Sequence, residues 1–399
     1  MSTLAATTAD SIGESSAGLT WSLSRCTRVV LAGGTLIAIG ILWDISWHRT
    51  IGRDSFWTPA HMAIYLGGLM GGLTCGWLVI QTTFFGSPEQ KAATVKLWGF
   101  RGPFGAWVTI WGSMAMLISA PFDNWWHAAY GVDVKILSPP HAVLAAGMWA
   151  TVLGALFLLL REQNLSSPDQ PAPGRHLFLY ASGIIVAMAS VFLIEHSFPN
   201  QQHTSVFYQI SATTFPFYLV GLARASKSRW AATWIALVYM GVVAGLAWVL
   251  PLFPGHPRLG PIYNPVTHFV PLPFPLLLVV PAIGIDLLRQ WIDQGRGWRR
   301  DWLLAIAAGA AFLLLFLAAQ WFFSAFLISP AAHNWFFAAD RHWGYREGVG
   351  DWRGEFWSET NPARNPPLSV KGFLIALGIS LGAARLGLWL GNWMAKVRR

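Results

Sequence analysis

The sequence predicts an all-α, polytopic helical membrane protein with about ten transmembrane helices, and two observations support this prediction. Of the 399 residues, 54% are hydrophobic and 11% are charged, whereas a soluble globular protein is typically about one quarter charged. The apolar residues also fall into runs of about 20, the length that crosses a bilayer. Because lipid offers no hydrogen-bonding partner to the backbone, such runs are expected to be helices. This composition excludes an ordinary soluble enzyme and a disordered chain.

Ten segments of the chain meet the requirements of length and hydrophobicity. In chain order they are 29–46, 61–82, 104–121, 141–160, 177–195, 205–223, 230–252, 267–287, 302–328 and 371–393. They predict a flexible cytoplasmic tail (1–24), a four-helix membrane unit (25–160), five further helices (161–328), an outer Trp-rich cap loop (329–370), and a last helix with a basic tail (371–399). The first 20 residues lack a basic stretch followed by an apolar one, so we interpret them as a loose tail and not as a signal peptide.

Basic residues orient the predicted spans. They cluster at alternate span ends, namely at Arg25 and Arg28; Lys91, Lys96 and Arg101; Arg161 and Arg175; Arg224, Lys227 and Arg229; Arg289, Arg296, Arg299 and Arg300; and Lys396, Arg398 and Arg399. Cytoplasmic loops carry such an excess, so both termini are expected in the cytoplasm and the other loops outside the plasma membrane. The net charge of +9 therefore orients the protein in the bilayer and implies no nucleic-acid partner.

Histidine is confined almost entirely to the opposite, outer loops. Ten of the eleven histidines fall there two by two: His48 and His61, His127 and His141, His196 and His203, His256 and His268, and His333 and His342. A single histidine at a helix end is usually an interfacial hydrogen-bonding residue. Five pairs on one face suggest a shared role, and a metal is the simplest one because imidazole suits copper, zinc and iron.

Two outer loops repeat one spacing of an aspartate and two histidines. The triads are Asp44, His48 and His61 in the first loop, and Asp123, His127 and His141 in the second. Asp and His four residues apart share one helix face, and the second His opens the returning helix. One carboxylate and two imidazoles thus converge and leave coordination positions open. Arg53, Asp54 and Asp133 are expected to orient the imidazoles.

The residues around the first triad resemble a known family. The stretch W-H-x4-R-D-x2-W-T-P-x-H, with an Asp three residues before the Trp, is similar to the C subunit of the particulate methane and ammonia monooxygenases, the copper membrane monooxygenases. Asp44, His48 and His61 match that family's D-x3-H-x12-H copper site. The second triad matches its N-x3-H-x13-H site, except that Asp123 stands in place of Asn. The resemblance covers about residues 25–160.

This resemblance implies copper as the cofactor and other membrane subunits as partners. It further implies oxidation of a small apolar substrate, such as methane, a short hydrocarbon or ammonia, with dioxygen. The family subunit is shorter and has fewer spans, and the family's copper-binding B subunit has no counterpart in this chain. A carboxylate at Asp123 is expected to bind a divalent ion more firmly than an amide does, or to select another metal, so zinc and iron stay open.

The second half of the chain contains a partial match to the residue spacing of the two triads. His256 and His268 are 12 residues apart, with Gly260 between them and Asn264 four residues before His268. The pair His196 and His203 lacks the pattern. Further metal ligands are therefore expected among His196, His203, His256, Asn264 and His268. An old duplication and independent loop chemistry both remain open as explanations.

The last outer loop, 329–370, is rich in Trp and in charged residues. Loops of that length usually have a function or are disordered. The aromatic residues predict a folded cap that covers the metal hairpins or docks a partner. An interfacial belt of Trp side chains is the alternative.

Three functions are compatible with the sequence. The first is a copper-dependent membrane monooxygenase or its metal-bearing C-type subunit, for which the sequence assigns no catalytic residue. The second is a membrane protein that binds, transports or delivers copper, although the spans hold almost no His, Asp or Glu at mid-depth. The third is an assembly subunit whose metal hairpins are structural.

Overall fold

The computed structural model describes residues 3–52, 57–131, 138–166, 174–258, 266–292, 297–338 and 366–399. Several predicted features lie outside the described residues. These are Arg53, Asp54, Asp133, Asn264, and the part of the predicted cap loop from 339 to 365.

Within the described residues the chain is almost entirely helical. The α-helices are α1 (Thr3–Thr50), α2 (Pro59–Phe85), α3 (Pro88–Ala92), α4 (Phe104–Tyr130), α5 (Pro139–Leu165), α6 (Arg175–Val191), α7 (Ser205–Ala225), α8 (Ala231–Val249), α9 (Val279–Ile292), α10 (Trp298–Ile328) and α11 (Val370–Met394). Two short strands, β1 (Val95–Leu97) and β2 (Phe100–Gly102), form an antiparallel hairpin. Single 3-10 turns occur at Ile194–His196, Pro199–Gln201, Leu250–Leu252 and Pro330–Ala332. The protein is therefore an all-α polytopic membrane protein, as the sequence predicts.

Eight of the described helices are long and apolar enough to cross a membrane. The other two predicted spans are shorter than expected: α6 has 17 residues and α9 has 14. At the opposite extreme α1 is helical from Thr3, so it extends into the segment that the sequence predicts as a loose tail, and its apolar part begins at Leu23.

The prediction of a helix over 267–287 is wrong in its first half. Residues 266–278 are not helical, and α9 begins only at Val279. Three alternating prolines, Pro271, Pro273 and Pro275, explain the difference. A proline in a helix interior removes one backbone hydrogen bond and its ring clashes with the preceding turn. Hydrophobicity alone cannot reveal this, because the segment is as apolar as a true span.

Side chains of neighbouring helices accept hydrogen bonds from two N–H groups of the non-helical segment 266–278. The Leu276 N–H donates to the Tyr239 hydroxyl at 3.2 Å, and the Leu277 N–H donates to Gln320 Oε1 at 2.9 Å. The Tyr239 and Gln320 side chains are buried. Irregular backbone at membrane depth is tolerated only where protein groups satisfy it, so these contacts make the segment possible.

The chain divides into two compact units. One comprises Met1–Ile37, Ala63–Leu165 and Val397–Arg399, and the other comprises Ala38–Met62 and Ser166–Lys396. The boundaries differ from the predicted unit 25–160, because the tip of the first helical hairpin belongs with the second half of the chain. Each candidate metal triad nevertheless lies within a single unit.

Glycine permits close packing of α4 against α5 in the first unit. A Cβ atom on Gly112 would lie 2.7 Å from the carbonyl oxygen of Gly147 and from the backbone N of Thr151, and one on Gly105 would lie 2.5 Å from the carbonyl oxygen of Gly154. Small residues at such positions let membrane helices approach backbone to backbone. We call this row of glycines the glycine seam. It sets the close approach of α4 and α5, the antiparallel helices that carry the second triad.

We predict that Gly112→Ala destabilises the protein, because the added methyl group has to displace backbone and not a flexible side chain. An overpacked core typically costs about 1–3 kcal/mol. The matched control is Gly76→Ala in α2, where a Cβ atom would meet nothing within 4 Å. That control is expected to be neutral, or stabilising by up to about 1 kcal/mol, because Ala is the better helix former. Thermal unfolding in detergent measures the melting temperatures of both purified variants. Equal melting temperatures would contradict the prediction that α4 and α5 need glycine at position 112.

Candidate metal centre

The first predicted triad comes together in the structure. Asp44 Oδ2 lies 3.4 Å from His48 Nε2, and Asp44 Oδ1 lies 3.2 Å from His61 Nε2. The three donor atoms all lie within 4.8 Å of one another, and among the described residues this is the one group of His, Cys, Asp and Glu side chains that closes in this way. The side chains of Asp44, His48 and His61 are 20%, 44% and 26% exposed, so the centre is partly open.

The second predicted triad has the same arrangement but is wider. Asp123 Oδ2 lies 3.4 Å from His127 Nε2, and Asp123 Oδ1 lies 3.5 Å from His141 Nε2. The aspartate again stands between two imidazoles, although its three donors do not form a closed group by the measure that the first triad meets. In both triads an aspartate therefore lies between two imidazoles, and the donor atoms of the first triad are closer together.

Helix starts place the second histidine of each triad. The Thr58 hydroxyl accepts a hydrogen bond from the His61 backbone N–H at 3.1 Å, and the Ser138 hydroxyl accepts one from the His141 N–H at 3.4 Å. A hydroxyl residue followed by a proline is a typical helix start, because the hydroxyl caps a free N–H and the proline needs none. The sequence contained this signal as Thr-Pro-x-His and Ser-Pro-Pro-His, but the cap role of the hydroxyls was missed.

A glycine follows the first histidine of each triad by four residues. His127 Nδ1 lies 3.2 Å from the Gly131 carbonyl oxygen, and Gly52 has the same spacing from His48. Gly131 and Gly52 have φ angles of +91° and +84°, a backbone conformation that favours glycine. The recurrence of Gly four residues after His in the sequence thus has a physical reason that only the structure supplies.

The Gly131 contact also indicates which ring nitrogen of His127 has a free lone pair. A carbonyl oxygen only accepts hydrogen bonds, so His127 Nδ1 carries the proton, and Nε2 of the neutral ring is a lone-pair donor. That lone pair faces the Asp123 carboxylate at 3.4 Å. An imidazole lone pair and a carboxylate oxygen at this separation can bind one metal ion together.

The distances at both triads fit a metal better than they fit direct hydrogen bonds. Charge-assisted hydrogen bonds between nitrogen and a carboxylate are about 2.7–2.9 Å long, shorter than the 3.2–3.5 Å found here. Two ligand atoms about 2.1 Å from one tetrahedral ion are about 3.4 Å apart. In addition, Oδ1 of both Asp44 and Asp123 is buried, and the imidazole nitrogens of His61 and His141 lie 3.2 Å and 3.5 Å from these two oxygens. The donor set and its geometry therefore suit a metal ion.

The end of α1 is anchored by the helix face opposite to the ligands. The Ser46 hydroxyl donates to the Val270 carbonyl at 2.5 Å, and the Val270 N–H donates to the Thr50 hydroxyl at 2.9 Å. Residues two positions apart are about 200° apart around a helix, so Ser46 and Thr50 point away from Asp44 and His48. These hydrogen bonds to segment 266–278 hold the end of α1 in place, and they therefore set the direction in which Asp44 and His48 project.

Aromatic packing reinforces this anchor. Phe269 lies in a small apolar cluster with Ile51 and Leu250, against which Trp43 and Trp47 pack. The rings of Trp47 and Phe269 are 5.5 Å apart. The Trp that precedes His48 in the motif is therefore a packing residue of the hairpin tip, not a ligand.

The other predicted ligands find different partners. His203 Nε2 lies 3.1 Å from the Trp321 carbonyl oxygen, and its ring packs against the Trp321 ring. His268 Nδ1 lies 3.0 Å from the Thr267 hydroxyl, on non-helical backbone that bridges to Pro254. His268 thus does not open a helix as His61 and His141 do. Together with His196 and His256, these histidines join no closed ligand group in the described residues, and a metal role for them stays a prediction.

No family model matches this chain, and neither a curated protein nor a solved structure matches it. The resemblance of residues 25–160 to the monooxygenase C subunit therefore stays a prediction from the spacing of the motif residues. The structure adds the spatial arrangement of those residues independently of any relative.

We predict that Thr50→Val destabilises the protein, because it leaves the buried Val270 N–H without its acceptor. An unsatisfied buried donor costs about 1–3 kcal/mol. Thr213→Val is the matched control, since that exposed hydroxyl bonds only the Gln209 carbonyl of its own helix. Chemical denaturation of the purified protein compares the free energies of unfolding, and a Thr50→Val variant as stable as the control would refute the anchor.

Proposed function

We propose that this chain is a copper-dependent membrane monooxygenase, or the metal-bearing C-type subunit of one, that oxidises a small apolar substrate with dioxygen. The observation that carries the proposal is the convergence of Asp44, His48 and His61 within 4.8 Å. The match of these residues to a family copper motif supports it. The proposal places the protein in the plasma membrane with its paired histidines on the outer side, alongside other membrane subunits.

The first triad is the proposed primary centre. Asp44, His48 and His61 would hold the ion, and copper bound there would supply the activation of dioxygen. One carboxylate and two imidazoles leave coordination positions open. The partial exposure of all three side chains gives small molecules access to those positions. Because the triad sits at the ends of two apolar helices, a substrate that partitions into lipid can approach it from the bilayer.

The second triad is proposed as a further metal centre with its own preference. Asp123 contributes a negative charge where the related motif has a neutral amide. Carboxylates favour harder divalent ions, whereas soft ligands such as thiolate and thioether favour Cu(I). We therefore infer that Asp123, His127 and His141 prefer a divalent ion, with zinc and iron as competitors of Cu(II).

Two other functions use the same residues. A protein that binds, transports or delivers copper would also place partly exposed histidines at helix ends, and a purely structural site would use the metal to brace the helical hairpins. The openness of the first triad favours exchange or catalysis over bracing, because structural metal sites are usually closed by four protein ligands. Metal binding and oxidation have to be measured separately to distinguish these functions.

We predict that the protein purified with its native lipids contains copper, at about one ion bound by the first triad. His48→Ala and His61→Ala are each expected to lose the copper of the first centre, because each removes one of three protein ligands. His176→Ala, which changes an exposed histidine at the start of α6, is the control and should retain it. Elemental analysis by mass spectrometry measures the metal, and a metal-free preparation from copper-replete cells would overturn every metal-based function.

We further predict oxygen-dependent oxidation of methane, a short alkane or ammonia by membranes that contain the protein with its natural partners. Asp44→Ala and His61→Ala are expected to abolish this activity, while His176→Ala preserves it. Isotopically labelled dioxygen followed into the product measures the reaction. Retained copper without any oxidation would reject the monooxygenase and leave delivery or structural bracing as the function.

A further inference from the structure

The β1–β2 hairpin between α2 and α4 has an unusual residue at its tip. Lys96 pairs with Arg101 and Leu97 pairs with Phe100, which leaves Trp98 and Gly99 as the turn. Their φ angles are +49° and +89°. A two-residue turn with both φ angles positive strongly favours Asn-Gly, whereas a bulky residue in this conformation is strained. A tryptophan at this position therefore needs a compensating role.

The hairpin is held rigidly against the helices on either side of it. The Arg101 N–H donates to the Thr83 hydroxyl of α2 at 2.8 Å, and the Trp107 indole N–H of α4 donates to the Val95 carbonyl at 3.3 Å. The Arg101 guanidinium donates to the Lys91 carbonyl at 2.8 Å. The direction of the hairpin is thus fixed by hydrogen bonds at its base.

The tip of the hairpin lies beside α4. The rings of Trp98 and Trp111 are 5.4 Å apart. Trp111 lies seven residues beyond Phe104, the first residue of α4, which corresponds to about 10 Å along the helix axis. The Trp98 ring is therefore next to the second turn of a helix that is long and apolar enough to cross a membrane.

The hairpin and the neighbouring end of α2 expose several aromatic rings. Trp98 is 75% exposed, Phe84 is 64% exposed and Phe85 is 79% exposed. Phe100 is also exposed and packs edge-on against Phe84. Aromatic side chains of this kind are favoured at the boundary between headgroups and acyl chains, so this patch suits lipid.

The base of the same hairpin is basic. Lys91, Lys96 and Arg101 are opposed by one acid between residues 87 and 102, Glu89, whose carboxylate accepts a hydrogen bond from the Ser87 hydroxyl at 2.8 Å. Lys96 is exposed and directly opposite Arg101. Like charges opposite each other in a hairpin are destabilising, and an anion bound between them removes that cost.

We propose that residues 95–102 form a lipid-binding finger, in which Trp98 inserts into the bilayer and Lys96 with Arg101 binds the phosphate of an anionic phospholipid. The finger is separate from both metal triads and does not depend on the proposed function. Its occupant is an anionic lipid of the leaflet in which α2 ends and α4 begins.

The test uses the melting temperature of the full-length protein in detergent, titrated with dioleoylphosphatidylglycerol or with dioleoylphosphatidylcholine. For the wild type we expect both lipids to raise the melting temperature, with the larger rise for the anionic lipid. Inorganic phosphate at the same concentration is expected to have no comparable effect. A rise as large with phosphate alone would overturn the assignment of the site to lipid.

Trp98→Asn separates membrane insertion from folding. It creates the favoured Asn-Gly turn, so the melting temperature in detergent alone should be no lower than that of the wild type, while the rise with either lipid shrinks. Trp98→Tyr keeps an interfacial ring and is expected to keep most of the rise. A Trp98→Asn variant that melts earlier in detergent yet retains the full lipid response would show that Trp98 merely packs on Trp111.

Lys96→Gln tests the headgroup contact. It should abolish the preference for the anionic lipid and leave the rise with the neutral lipid unchanged. Lys371→Gln is the matched control, since that lysine is also exposed but lies at the first turn of α11. An undiminished anionic preference in Lys96→Gln, or an equal loss in the control, would refute the phosphate contact.

Discussion

The need to satisfy backbone hydrogen bonds in a membrane governs the arrangement around the first triad. The prolines of segment 266–278 prevent helix formation, so its carbonyl and N–H groups lack the regular hydrogen bonds of a helix. The structure provides partners from helices that are distant in sequence: Ser46 and Thr50 bind Val270, and Gln320 binds Leu277. Those contacts in turn immobilise the end of α1, so the segment that breaks the helical pattern also orients the candidate ligands.

Two triads with the same residue spacing are thus supported in different ways. The ligands on α1 gain their direction from the hydrogen bonds of Ser46 and Thr50 with Val270, and the tip of that hairpin belongs to the second compact unit. The ligands on α4 and α5 depend on a glycine seam within the first unit, where a Cβ atom on Gly112 would lie 2.7 Å from the carbonyl oxygen of Gly147. The two triads are therefore supported by separate sets of contacts.

Around each triad, however, the local chemistry is shared. A hydroxyl caps the helix that carries the second histidine, and a glycine at positive φ ends the helix that carries the first. The glycine carbonyl holds Nδ1 of His127, which leaves Nε2 for the carboxylate side. A metal-bound imidazole commonly donates its other N–H to a carbonyl or carboxylate in this way, so these backbone groups belong to the candidate centre as much as its ligands do.

The sequence by itself determined what depends on residues close together in the chain. The length of the apolar runs predicted ten spans, of which eight are long helices in the described residues, and the spacing of Asp44 from His48 and of Asp123 from His127 placed each pair on one helix face. Only the tertiary structure decided that His61 and His141 reach those aspartates and that Ser46 meets Val270, 224 residues away. It also showed that residues 266–278 are not helical. Hydrophobic periodicity reports the interactions of one helix with its surroundings, whereas a ligand set or a satisfied irregular segment depends on partners that no local pattern specifies.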